Sequence, residues 1–303
     1  MSDFAQVIAQ MPPAAMPQAA DAGEPVMTLW HAIVIGVVQG LTEFLPISST
    51  AHVKVVPVLL GWGDPGVAFT AVLQLGSIAA ILWYFWDDLY SVTSNAWRAM
   101  IERNFGSSDF RLALGIVLGT VPAVAIGLFV KLFVPGYDNS IVRSTAAIAI
   151  TSIVMALLLG LAEWVGSRQR DFAKLDVNDG LWVGLAQALA IIPGVSRSGS
   201  TLTAGLLLGL KRETAARFSF LLGTITITLA GLVSLPDMFS AQSTVSLLPL
   251  IGGLIAAVVS SYAAIAWLIE FLKKHSTWVF VWYRLAFGAV LLAAIAFGQL
   301  DNV

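Results

Sequence analysis

The sequence predicts an all-α polytopic membrane protein with six spanning helices and two re-entrant helical hairpins, and three observations carry that expectation. Of the 303 residues, 58% are hydrophobic and 11% charged, against about 25% charged in an ordinary soluble domain. Mean hydropathy is +0.85, and the apolar residues fall in runs of about the 20 residues that a span requires. Two of these runs are broken midway by polar clusters. The same composition sets other classes aside. A net charge of -2 provides no basic face for nucleic acid, and the absence of cysteine excludes disulfides, thiolate catalysis and Cys-ligated metals.

Taken in order, residues 1–27 are rich in Ala, Pro and Met and contain no Lys or Arg. They lack the positive start and continuous apolar core of a secretory signal, so they read as a disordered extension outside the membrane. Residues 28–303 read as a single transmembrane domain. Its first run, 28–60, is interrupted at Pro46-Ile47-Ser48-Ser49-Thr50, and spans are expected over 66–86, 112–133 and 142–164. A second interrupted run, 179–210, breaks between Pro193 and Thr201 and precedes spans expected over 213–236, 246–270 and 278–299. Irregular backbone at membrane depth is tolerated only inside protein or at a cavity, so each interrupted run reads as a hairpin that leaves on the side it entered. Trp83, Tyr84, Phe85 and Trp86 read as an interfacial belt.

Charge orients this arrangement. Loops 87–111, 165–178, 211–217 and 271–277 fall on one side and hold eleven Lys and Arg residues. The N-terminal tail, loops 61–65, 134–140 and 237–245 and the C-terminal tail fall on the other and hold none. By the positive-inside rule the basic side is cytoplasmic and both termini lie outside. Hairpin plus three spans (28–164) is followed by hairpin plus three spans (179–299) of opposite sense, an inverted-topology repeat. Such repeats bring discontinuous helices together near the midplane, with half-helix N-termini aimed at an anionic ligand.

The ionisable groups at membrane depth are Glu43, His52, Lys54, Arg197 and Arg284, and a charge placed there marks a functional site by default. Gln39 and Glu43 share a helix face. Ser48, Ser49 and Thr50 begin the helix that carries His52, with Ser49 three residues from the imidazole; plain N-capping is the alternative for these hydroxyls. Arg197 stands between Gly194 and Gly199, with Ser196, Ser198, Ser200 and Thr201 opening the next half-helix. Small residues, free N–H groups and a guanidinium make a phosphate cradle, unless Arg197 serves only as a structural partner for Glu43. Lys54 and Arg284 either snorkel or face the cavity, and His31 and His275 sit at the interface.

The words Gln39-Gly-Leu-Thr-Glu43-Phe-Leu-Pro46-Ile-Ser48-Ser49-Thr50-Ala-His52 and Pro193-Gly-Val-Ser196-Arg197-Ser198-Gly-Ser-Thr201 resemble the two signature motifs of the bacterial undecaprenyl-pyrophosphate phosphatases, the bacitracin-resistance family. Leu73-Gln74-Leu75-Gly76-Ser77 and Phe218-Ser219-Phe220-Leu221-Leu222 extend the resemblance, which runs from about residue 29 to 299. Two positions depart from it. Gln39 stands where some members have Glu, which puts a neutral amide in place of a carboxylate ligand, and Ala51 replaces a common Gly before His52.

The resemblance implies a catalytic domain that hydrolyses undecaprenyl pyrophosphate to undecaprenyl phosphate and inorganic phosphate. That reaction recycles a carrier lipid for cell-wall synthesis and confers bacitracin resistance. The expected setting is the bacterial plasma membrane, with a site opening outward and a divalent cation, Mg2+ or Ca2+, as cofactor. Expected roles are Ser49 as nucleophile with His52 as its base, Glu43 with Gln39 as metal ligands, and Arg197 with the N–H groups of 198–201 on the pyrophosphate. Ser48, Thr50, Ser196, Ser198, Gly199, Ser200, Thr201 and Gln74 complete the substrate set. Ser48 exchanging roles with Ser49, or water attacking directly, stays open at this point, as does a homodimer. The competing class is a secondary transporter or flippase of a lipid phosphate, since inverted repeats and broken helices are equally its hallmark.

Overall fold

The computed structural model describes residues 27–137, 140–238 and 246–302. The extension expected over 1–27 therefore lies outside the described residues but for Met27, and so does most of loop 237–245. The described residues form eleven α-helices: α1 (Leu29–Phe44), α2 (Ser49–Leu59), α3 (Val67–Tyr84), α4 (Trp86–Ile101), α5 (Ser108–Phe133), α6 (Thr145–Val165), α7 (Val177–Ala188), α8 (Arg197–Leu207), α9 (Arg212–Met238), α10 (Leu247–Lys274) and α11 (Trp278–Ala296).

Helix starts follow local side-chain chemistry. Thr28, Ser107 and Ser144 each accept the N–H three residues on, and Asp176 with Asp179 forms a reciprocal capping box at the head of α7, satisfying donors that a helix leaves unpaired. Among the described residues five helices are long and apolar enough to cross a membrane: α5, α6, α10, α11 and the 212–233 stretch of α9. A sixth results if α3 and α4, bent 74° to each other at Phe85, count as one broken span.

The bend corrects the expectation of a loop over 87–111. Trp86–Ile101 is helical because its apolar residues recur at helical spacing: Leu89, Val92, Ala96 and Ala99 face the protein, while Trp86, Tyr90 and Trp97 stand exposed. Its mixed composition hides it from a hydropathy reading, whereas its periodicity suits a helix lying in the membrane interface. Asp88 of α4 meets Arg217 of α9 at 2.6 Å.

Packing rests on small residues. A Cβ at Gly36 of α1 would lie 2.2 Å from the Gly253 carbonyl oxygen of α10, and one at Gly184 of α7 would lie 2.0 Å from that of Gly119 of α5. Such approaches give helices contact in a solvent as apolar as their own side chains. The α3 helix packs on α9, and α6 on α11. Trp30, Val121, Leu157, Val259 and Trp282 are exposed on outer faces, while Gln39, Glu43, Ser48 and Arg284 are buried. This inside-out distribution is what a lipid-facing bundle with a polar centre requires.

Two breaks divide that centre. Residues 45–48 separate α1 from α2, with Ser48 at φ 75°. A 3-10 turn, Leu189–Ile191, and the residues after it separate α7 from α8, with Gly194 at φ 87° and Ser196 at φ 71°. A serine held in the left-handed region costs of order 1–3 kcal/mol, so two at matching places need firm support. Arg284 supplies it. Fully buried, its guanidinium donates to the carbonyls of Pro46 (3.0 Å), Gly194 (2.7 Å) and Val195 (3.1 Å), and its Nε to that of Ser152 (3.2 Å). It neither snorkels nor lines the cavity; it ties the two breaks together. An arginine at mid-helix costs about 2.5–3.5 kcal/mol, and hydrogen bonds to a charged group return about 1.5–3 kcal/mol each, so four of them offset the burial. Lys54 donates to the Arg143 carbonyl at 2.8 Å.

At the C-terminal end of α6, Glu163 accepts from Arg168, Arg212 and both the backbone and hydroxyl of Thr277. One buried carboxylate thereby joins α6, α9 and α11.

Candidate active site

The two breaks face a cavity of about 220 Å³, far above the roughly 10–15 Å³ that one water needs. Its polar wall comes from six parts of the chain. The last turn of α1 presents Glu43, the first break and the start of α2 present Ser48, Ser49 and Thr50, and α3 presents Gln74. The second break presents Ser196 and Arg197, while Gln187 of α7 and Thr226 of α9 complete it. The remaining wall is apolar, from Ala123, Gly127, Ala188, Ala190 and Ala230 with Ile191, Ile192 and Ile227.

Glu43 is the hub. Its Oε2 accepts from Ser49 Oγ at 2.6 Å and from Gln39 Nε2 at 2.8 Å. Its Oε1 accepts from Arg197 Nη2 at 3.1 Å. Arg197 also donates from Nη1 to the Ser219 carbonyl at 3.3 Å, in space that exists because residue 223 is glycine: a Cβ there would sit 2.2 Å from Nη1. Glu43 and Arg197, drawn from different breaks, therefore meet. Two buried atoms at this hub have no partner, the acceptor Gln39 Oε1 and the donor Arg197 Nε. An unmet acceptor beside a carboxylate suits a cation, and an unmet guanidinium N–H suits an anion.

The structure does not bring His52 to Ser49. His52 Nδ1 lies 2.8 Å from the Ser48 carbonyl, which can only accept, so Nδ1 carries the proton. Nε2 then accepts from the Tyr283 hydroxyl at 2.6 Å, and the ring stacks on Phe287 with centroids 4.5 Å apart. Side chains on a helix lean toward its N-terminus, and the turn at Ser48 places a carbonyl where the imidazole arrives. Glu43, rather than His52, stands beside the Ser49 hydroxyl.

The expected cradle over 198–201 also narrows. Ser196 Oγ caps the Gly199 N–H at 3.1 Å, and Ser198 Oγ donates to the Leu45 carbonyl at 2.9 Å. Ser200 Oγ donates to the Arg197 carbonyl at 3.0 Å, and Thr201 Oγ1 bonds that carbonyl and Ser219 Oγ at 2.8 and 2.5 Å. These groups hold α8 against its neighbours, behind the wall. Of the sequence-expected residues, Glu43, Ser48, Ser49, Thr50, Gln74, Ser196 and Arg197 reach the cavity. Gln39, His52, Ser198, Gly199, Ser200 and Thr201 stand in the layer around it.

Among the described residues no group of three or more His, Asp or Glu could hold a metal. The available donors are one carboxylate and the orphaned amide oxygen of Gln39. That set fits an Mg2+-like ion, which takes one or two protein oxygens and completes its shell with water and phosphate.

Gln187, Thr226 and Tyr283 escaped the reading of the sequence. For Gln187 a signal existed: it precedes Ser196 by nine residues, as Gln39 precedes Ser48. For Thr226 and Tyr283 only the fold reveals the neighbour.

Residues 32–290 match the family model described as bacitracin resistance protein BacA. Curated relatives agree. An undecaprenyl-diphosphatase of Nostoc sp. is 61% identical over 289 residues, covering 95% of this chain and 90% of the relative. That of Synechococcus elongatus is 59% identical over 278 residues, covering 91% and 96% respectively. That of Trichodesmium erythraeum is 55% identical over 277 residues, covering 91% and 89%.

Proposed function

The chain belongs to the bacitracin resistance protein BacA family, and from that premise we infer that it is an undecaprenyl-diphosphatase, hydrolysing undecaprenyl pyrophosphate to the monophosphate and inorganic phosphate, with Ser49 as the attacking group. The observation that carries the assignment of roles is the hub itself: a serine hydroxyl 2.6 Å from a carboxylate that is paired with an arginine carrying an unmet N–H.

In this reading Arg197, at the start of α8, holds the terminal phosphate, where a guanidinium and a helix dipole favour negative charge. Glu43 Oε2 takes the Ser49 proton as Oγ forms a bond to the terminal phosphorus. The bond from that phosphorus to the bridging oxygen breaks, and the lipid monophosphate leaves with the proton passed on by Glu43. Water then attacks the phosphoserine; Glu43 takes its proton and returns it to Oγ, and inorganic phosphate departs. Phosphoryl transfer depends mainly on positioning and charge stabilisation, which is what three elements converging on one carboxylate supply. Tyr283, His52 and the Ser48 carbonyl fix the turn from which Ser49 projects. Glu43 and Gln39 would hold a divalent cation, which when bound neutralises charge on phosphate oxygens.

The inverted repeat belongs to the same proposal. The left-handed Ser48 and Ser196 each occupy the N-cap position of a half-helix, α1 packs on α10 as α7 packs on α5, and the Pro193 carbonyl accepts from Thr151 of α6 as the Pro46 carbonyl accepts from Arg284 of α11. The positive-inside count supports an orientation with both termini outside; in that orientation the wall residues Ala123, Gly127 and Ala230 lie in the outer halves of α5 and α9, which favours a cavity that opens outward.

Purified protein given a prenyl diphosphate and Mg2+ should release inorganic phosphate, and Ser49 should be trappable as phosphoserine by acid quench. A protein that only moved lipid across the membrane would release none. Full turnover in Ser49→Ala would overturn the nucleophile assignment and leave water in its place.

A further inference from the structure

We propose that Gln187 and Thr226 form a second subsite in the cavity, which holds the phosphate that stays on the lipid, while Arg197 and Ser49 hold the one that leaves. The proposal rests on the hydrolase reading above and names what another part of the same cavity wall recognises.

The pair is built as a ligand site. Gln187 is 1% exposed, its Nε2 donates to Thr226 Oγ1 at 2.9 Å, and its Oε1 is buried with no partner. Both residues line the cavity with Glu43, Ser49 and Arg197. Thr226 is set apart from the threonines around it on α9. Thr224 and Thr228 give their hydroxyl protons to the carbonyls one turn back, at 2.8 and 2.6 Å. Thr226 instead receives an amide proton, which leaves its own hydroxyl proton for a ligand. Turning the Gln187 amide over would exchange the ends: Thr226 would donate to Oε1, and an N–H would occupy the place of the orphaned oxygen. In either orientation the pair offers the cavity a hydrogen-bond donor, and a phosphate oxygen that turned the amide would also remove the unmet acceptor.

The chemistry of the substrate assigns the two walls. In a diphosphate monoester the terminal phosphorus has two ionisable oxygens and the inner one has one. The wall with the guanidinium and the half-helix N-terminus suits the more charged group. The Gln187 and Thr226 wall is neutral and donor-bearing, and it adjoins Ala188, Ala190, Ile227 and Ala230, an apolar surface that suits the start of a prenyl chain. The subsite therefore distinguishes a lipid diphosphate from free phosphate or free pyrophosphate by requiring an inner phosphate with an apolar substituent.

The test compares wild-type protein with Thr226→Val, Thr226→Ser and Gln187→Leu in detergent. Direct binding of a prenyl monophosphate is measured by calorimetry, alongside inhibition by inorganic phosphate and the KM for a prenyl diphosphate. Thr226→Val and Gln187→Leu should weaken monophosphate binding and raise KM about tenfold, the loss of one hydrogen bond to a charged group. Inhibition by inorganic phosphate should shift less than twofold, and Thr226→Ser should recover most of the lost affinity. Unchanged monophosphate binding in both variants would overturn the subsite. So would a parallel loss for inorganic phosphate, or a Thr226→Ser variant no better than Thr226→Val. Failure of the hydrolase reading would be seen separately, as no phosphate release by the wild-type protein, because the binding measurement needs no turnover.

Discussion

Ser49 Oγ lies 2.6 Å from Glu43 Oε2, and this contact, between the first residue of one half-helix and the last turn of the one before it, is what supports Glu43 as the base in the proposed mechanism. His52 is bonded to the Ser48 carbonyl and Tyr283 and lies outside the cavity wall. General-base catalysis contributes about 10²–10⁴ in rate, so Glu43→Gln should lower kcat at least a hundredfold in a phosphate-release assay. His52→Asn, which keeps a donor near the Ser48 carbonyl, should cost about tenfold or less. Equal losses would restore His52 to the proton transfer.

Arg197 pairs with Glu43 and is proposed to bind phosphate as well, and its substitutions should separate the two. Breaking a buried ion pair leaves an uncompensated charge worth about 3–5 kcal/mol, so Arg197→Ala should lower both thermal stability in detergent and activity. Arg197→Lys keeps a positive charge for Glu43 and should recover most of the melting temperature. It cannot present a planar fork to Glu43 and a phosphate together, so kcat/KM should stay at least tenfold down. Full activity in the lysine variant would remove the guanidinium from substrate recognition.

Charge scarcity explains which parts of the site the sequence discloses. Glu43 and Arg197 stand out because a charge amid apolar residues is rare, and the polar words around them mark the two breaks. Spacing, however, places residues on a helix face without choosing their rotamers, so Ser49 and His52 look like partners until the Ser48 carbonyl claims the imidazole. Arg284 sits in an apolar helix far along the chain from Pro46 and Gly194, and only the fold brings it to both. The α4 helix is obscured for a different reason: a helix of mixed composition announces itself by period alone.

Arg284 should be intolerant of apolar replacement. Arg284→Met would leave the carbonyls of Pro46, Gly194, Val195 and Ser152 without a donor they share now, and each unsatisfied buried group costs about 1–3 kcal/mol. The expected result is loss of folded protein in size-exclusion chromatography, or a melting temperature lowered by more than any substitution at the cavity wall. Arg284→Lys, with three donors on a point charge, should fold and lose activity as the two breaks shift. A stable, fully active Arg284→Met protein would show that the breaks are held by something else.

Acid should reach the protein through its extramembrane caps. The Arg111 guanidinium, 2.5 Å from Asp176, holds the Asp176 carboxyl below the usual carboxylate range, with help from the Val177 N–H. A carboxylate whose folded pKa is lowered contributes stability above its unfolded value, and that contribution disappears as pH falls through the folded pKa. The side chain is 34% exposed, so screening holds the effect to about 1 kcal/mol or less. Wild-type and Asp176→Asn melting temperatures should differ by a constant amount from pH 8 to pH 5 and converge below about pH 4. A difference that closed near neutrality would point to another group.

Gln39 offers the most direct handle on the proposed cation. Its amide donates to Glu43 at 2.8 Å and leaves Oε1 buried and unmet, so the position supplies one neutral oxygen beside one carboxylate. Gln39→Glu would exchange that donor for a second charged ligand. Without a cation the two carboxylates would repel each other at membrane depth; with one they would bind it more tightly. Gln39→Glu should therefore need less Mg2+ for half-maximal phosphate release and should melt at a lower temperature in chelator than the wild type, a deficit that added Mg2+ reverses. Gln39→Leu should need more Mg2+. If chelator left wild-type turnover untouched and the Mg2+ requirement did not move in either variant, the cation would have no place beside Glu43, and the orphaned oxygen would instead mark a water.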